Sequence, residues 1–137
     1  MIDSLRARSE MTILLTTHYL DEADRLCDRL AVMHEGRIVA MGSPAALRAE
    51  LGESIVEMRV AGDPEAALAA LRMHGIADDE AFTVGSTLTV PVRGRSATNV
   101  IAAVHALGLD TSSVAAREPT LDDVYLRLTG GRLAEAA

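Results

Sequence analysis

Between Met11 and Thr17 the chain carries a compact apolar run, Ile13-Leu14-Leu15 set among threonines, which ends abruptly at His18. A short run of this kind fits a strand buried on both faces of a parallel sheet. Such a strand needs parallel neighbours along its edges and helices over both faces. Only one is visible here, so most of that sheet is expected upstream of Met1. The first part of the chain therefore reads as a truncated α/β domain.

The flanking residues extend this pattern. Ile2, Leu5 and Ala7 suit a short helical segment, and Leu20, Ala23, Leu26, Cys27 and Leu30 recur at helical spacing. Leu30–His34 and Arg37–Met41 read as a hairpin turning at Glu35-Gly36, where glycine can supply a positive φ. Ser43-Pro44 opens another helix, since serine accepts from free amides and proline loses no bond in the first turn. That helix is expected to stop near Gly52.

From Glu53 the rhythm changes. Ser54–Ala61 reads as a strand, and Asp63-Pro64 caps a helix through Leu68, Leu71 and Met73 to Gly75. Ala81–Val84 and Thr87–Val92 form a hairpin across Gly85-Ser86, and Ser96 starts a helix with Val100, Ile101, Val104 and Leu107 inward. Ser112–Arg117 is a strand and Thr120–Leu128 a last helix. The order β-α-β-β-α-β plus a helix predicts a small α+β ferredoxin-like module. Residues 1–52 and 53–130 thus read as two domains, with 131–137 a frayed tail.

Composition excludes several classes. Thirteen basic residues against 20 acidic ones give a net charge of −7, and the longest basic cluster is Arg93-Gly-Arg95. Nucleic-acid binding is disfavoured, because a polyanion calls for a basic patch. No apolar run approaches the roughly 20 residues that span a bilayer. The single cysteine, Cys27, forms no internal disulfide, suits a reducing compartment and reads as a small apolar side chain in a helix. His34, His74 and His105 lack partners at metal-ligand spacing, so neither a metal site nor a cofactor-binding residue is expected.

His18 is the candidate catalytic residue. Ligands of open α/β sheets bind beyond the carboxyl ends of strands, where this imidazole would lie, although spacing alone favours a mere cap. The run from Thr12 through Pro44, TILLTTHYLDEADRLCDRLAVMHEGRIVAMGSP, resembles the end of ABC transporter nucleotide-binding domains of the P-loop NTPase type. Matching features are a strand ending in a switch histidine, an acidic helix, a Cys-Asp-Arg turn, a hairpin and a Gly-Ser-Pro step. The resemblance implies that His18 contacts the γ-phosphate of ATP and helps hold the attacking water. Phosphoryl transfer depends on such positioning and charge stabilisation. Asp21, Glu22 and Asp24 open the following helix, where carboxylates meet the positive end of its dipole, and read as a capping face. Leu20-Asp-Glu-Ala-Asp24 also spells a helicase box, but these carboxylates fall on a helix, and the chain has no lysine for a phosphate loop.

The absence of lysine limits the transporter reading too, since a Walker A loop closes on Lys-Ser/Thr. The signature, Q-loop and Walker B motifs are likewise missing. A second resemblance covers Arg117-Glu-Pro-Thr-Leu-Asp-Asp-Val-Tyr-Leu-Arg-Leu-Thr-Gly130, which is similar to the terminal signature of the daunorubicin-resistance type of ABC ATPase. Locally, Thr120 and Asp123 suit a capping box and Leu121, Val124, Tyr125 and Leu128 an apolar stripe, which predicts a helix docked on its own lobe or, alternatively, one that contacts the other ATPase subunit or the body of the domain. Together the resemblances imply the C-terminal part of an ATP-hydrolysing exporter subunit. The complete subunit would use ATP and Mg²⁺, pair with a second copy and drive a separate transmembrane permease from the cytoplasmic face. This chain alone is expected to bind no cofactor and to lack ATPase activity. The alternatives are a stand-alone regulatory or dimerisation module and a gene fragment without function.

Overall fold

In a computed structural model, residues 2–8 and 10–129 are described, and the expected tail falls outside them. The helices are α1 (Ile2–Arg8), α2 (Leu20–Leu26), α3 (Pro44–Leu51), α4 (Pro64–Met73), α5 (Ala97–Ala106) and α6 (Leu121–Thr129). The strands are β1 (Leu30–His34), β2 (Arg37–Gly42), β3 (Ser54–Val60), β4 (Phe82–Val84), β5 (Thr87–Val92) and β6 (Thr111–Arg117). This is an α/β arrangement whose two sheets are both antiparallel.

Local chemistry sets most of these boundaries. Glu35 and Gly36 both take positive φ, 51° and 76°, as a two-residue hairpin turn matching strand twist requires. Ser43 Oγ accepts from the amide of Ala46 at 3.1 Å, Asp63 Oδ1 from Glu65 at 3.1 Å, and Ser96 Oγ from Asn99 at 3.1 Å. Each of these caps satisfies an amide with no partner inside its helix. Gly52 ends α3 at φ 132°, and a Cβ there would lie 2.6 Å from the carbonyl oxygen of Val92. Only glycine fits both the backbone conformation and the space.

The larger sheet has the order β4-β5-β3-β6. Val56, Met58, Leu88 and Val90 project from its central strands onto Leu68 and Leu71 of α4 and Val100 and Val104 of α5. Burying each such side chain contributes about 1.5–3 kcal/mol. The β1–β2 hairpin covers a second, smaller cluster, made of Val32, Leu47, Leu51, Leu121 and Val124.

Three expectations need correction. Residues 11–17 do not form a strand: the segment belongs to neither sheet, and Leu14 is 94% exposed. A strand is defined by the partners that take its amides and carbonyls, and among the described residues none lies beside this segment. The helix after it ends at Leu26, leaving Cys27 as an extended C-cap residue rather than a helical one. The last helix, α6, is tied to its own lobe by ion pairs, but its apolar stripe packs elsewhere, against residues 1–52. Leu121 and Val124 complete the smaller cluster, against α2 and α3.

Candidate functional site

His18 lies at a bend between the unpaired segment and α2, with its side chain exposed. Thr17 fixes that bend. Its hydroxyl accepts from the amide of Tyr19 at 3.0 Å and donates to Glu22 Oε2 at 3.1 Å. This bridge substitutes for the missing side-chain cap at Tyr19, which begins α2. The His18 and Tyr19 rings lie 4.2 Å apart at 36°. Among the described residues, no hydrogen bond occupies the imidazole nitrogens, so the ring can donate to an incoming oxygen.

The neighbouring carboxylates do not cap α2; they make tertiary contacts instead. Glu22 holds Thr17, and Asp24 pairs with Arg48 of α3 at 2.8 Å. Behind His18 runs a trough of about 680 Å³, lined by residues 11–18, by Leu20, Ala23 and Leu26 of α2, by Val32 and Met33 of β1, and by Tyr125 of α6. Its walls are mainly apolar, and its rim carries Leu14, Met11 and Met33, all exposed. An apolar trough beside an unpaired segment is an exposed surface of the kind that marks an interaction site.

The other sequence candidates lie apart from His18. His34 Nδ1 sits 3.4 Å from the Tyr125 hydroxyl, and His74 Nδ1 lies 2.8 Å from the Ala70 carbonyl oxygen. Arg93 donates to the Leu51 carbonyl at 3.2 Å and Arg95 to the Gly75 carbonyl at 2.8 Å, so the basic pair closes helix ends instead of forming an anion site. No cluster of three or more metal-binding side chains occurs among the described residues.

One constellation was missed from sequence. Arg117, at the end of β6, places NH1 and NH2 at 2.6 and 2.7 Å from the two Asp123 oxygens of α6, and its Nε 2.7 Å from Glu57 of β3. Asp123 is buried and also accepts from the Thr120 amide at 2.8 Å, while its own amide donates to the Thr120 hydroxyl. Burial works most strongly against the Asp123 charge, but the Arg117 fork and the Thr120 donors together outweigh it and hold the carboxyl below its ordinary range. Arg117 is held above its own, first by the bond to Asp123. The adjacent Asp122 is pushed up by burial, by Asp123 and by Asp21 of α2. The Thr-x-x-Asp capping pattern signalled Asp123; nothing local signalled its partner.

No protein-family model matches the chain. Over 132 residues it is 42% identical to the daunorubicin resistance ATP-binding protein DrrA3 of Streptomyces coeruleorubidus, a match covering 92% of this chain and 41% of that protein. Over 87–92% of its length the chain is similar to daunorubicin resistance ATP-binding proteins. Other similar proteins are named for export as well as for resistance. The Nod factor export ATP-binding protein I of Rhizobium sp. (strain N33) is 35% identical over 127 residues, 87% of this chain and 37% of that relative. The linearmycin resistance ATP-binding protein LnrL of Bacillus subtilis (strain 168) is 29% identical over 127 residues, 90% of this chain and 41% of the relative. The chain spans about two fifths of the length of these curated relatives. Among the described residues, no helix is long and apolar enough to cross a membrane.

Proposed function

We propose that the chain supplies the switch-histidine segment and the C-terminal module of an ABC exporter's ATP-binding subunit, with His18 as its catalytic residue. The observation that carries this reading is the 42% identity to a daunorubicin resistance ATP-binding protein. With 92% of the chain inside that match, too few residues fall outside for His18 to escape it. The exposed, unbonded imidazole fits a donor to one phosphate oxygen, whereas nothing in the chain offers the lysine ammonium of a phosphate loop. Mg-ATP would supply the phosphoryl bond whose cleavage drives transport. The binding residues for its triphosphate and metal would come from the remaining three fifths of the subunit.

Residues 1–52 would then close the nucleotide-binding domain, and 53–130 would form a ferredoxin-like accessory domain. The sheet order β4-β5-β3-β6, with α4 and α5 on one face, supports the second assignment. The complete subunit would act as a homodimer on the cytoplasmic face, through a separate permease exporting a drug-like or lipid-like substrate.

The test is completion. This chain alone should show no ATP hydrolysis above buffer. Fused behind the remainder of the Streptomyces coeruleorubidus relative, in place of that protein's matching portion, it should turn over Mg-ATP. A folded fusion that binds ATP and remains inactive would count against the reading.

A further inference from the structure

The two faces of α6 belong to different parts of the molecule. Its polar anchors reach the larger sheet and its helices: Asp123 to Arg117, which also grips Glu57 of β3, and Arg127 to Glu80 before β4. Its apolar side reaches the other way, where Leu121 and Val124 join the cluster that includes Leu20. Leu20 is the first residue of α2, two positions after His18. The helix is thus a bracket with one face held by ion pairs and the other packed towards the start of α2, two residues after the imidazole.

We propose that Arg117, acting through Asp123, is a positioning residue for His18. A bidentate guanidinium–carboxylate pair fixes orientation as well as distance, so the lock sets the rotation of α6 about its axis. That rotation decides how Leu121 and Val124 seat Leu20, and hence where α2 begins. The side chains facing this junction are Asp21 of α2, Asp122 of α6 and the capping pair Thr17–Glu22. No covalent link or bound group is needed. The lock and His18 lie far apart in sequence, and packed elements transmit such adjustments because interiors are dense. The catalytic consequence rests on the function proposed above; the mechanical coupling does not.

The native-state NMR spectrum of this chain tests the coupling without any nucleotide. In Asp123→Asn, which weakens the lock but keeps the side-chain size, the cross-ring NOE between His18 and Tyr19 should be lost. The amide signals of residues 17–24 should move, while those of Met58 and Val90 in the sheet stay in place. If Asp123→Asn does not fold, Arg117→Lys decides the matter, because it retains the charge and loses only the fork; the same signals should move less. Unmoved signals for residues 17–24 beside shifted α6 signals would overturn the proposal, as would equal shifts throughout the sheet. In the fusion subunit the same variants should lower kcat while leaving KM for ATP unchanged. If the NMR coupling holds but His18→Ala leaves kcat intact, the catalytic reading fails and the coupling stands.

Discussion

Replacing His18 by alanine in the completed subunit should lower kcat about 10²–10³-fold, the usual loss when one preorganised donor to a developing anion is removed. Binding of ATP should change little. In the proposed reading the triphosphate would be held by groups outside this chain, and an imidazole that meets only the terminal oxygen would add little to ground-state affinity. The expected pattern is therefore a collapse of turnover at nearly constant KM. His18→Gln keeps a donor of similar reach and should recover part of the loss. Stability should scarcely respond, because the side chain is exposed and holds no hydrogen bond among the described residues. Unfolding in urea separates that outcome from a structural defect.

The second large effect concerns stability. Arg117→Ala leaves the buried Asp123 carboxylate without its fork, and removing one partner of a buried pair costs about 3–5 kcal/mol. The Arg117 side chain is 35% exposed, so water can reach the site and about 3 kcal/mol is the better expectation. The sign of the pH dependence follows from Asp123. Its folded pKa is depressed, so the stabilisation is fully present above the unfolded value near ~3.9. It is lost as pH falls through that value towards the lower folded one. The wild-type chain should therefore weaken on acidification below about pH 4, and the gap between it and Arg117→Ala should narrow over the same interval. Urea midpoints at neutral pH and at successively lower pH measure both effects. A gap that stays constant through the acid range would remove Asp123 as the source.

Local chemistry was legible in the sequence wherever one residue decides an outcome. Ser43, Asp63 and Ser96 cap the helices they were expected to cap, and Gly36 and Gly85 turn their hairpins with positive φ. Partners were harder to read. The apolar run at residues 11–17 shows strand chemistry, yet a strand exists only with something to bond, and that is missing here. The stripe Leu121, Val124, Tyr125, Leu128 was visible as a buried face, but an amphipathic helix does not state what it packs against. It lies across the expected boundary at residues 52 and 53, so a piece beginning at residue 53 would leave Leu121 and Val124 uncovered. Arg117 pairs with Glu57 sixty positions away, and no periodicity encodes such a contact. For His18, its exposure and free nitrogens became visible only with coordinates, while its assignment as switch residue was read from sequence resemblance alone.

The most direct measurement follows the His18 ring resonance in the completed subunit during titration with Mg-ATP and, separately, with Mg-ADP, using a slowly hydrolysed ATP analogue to hold the first state. An imidazole that meets the terminal phosphate should shift with the triphosphate and stay near its free position with the diphosphate. Equal shifts with both nucleotides, or none with either, would contradict the assignment of His18 to that phosphate.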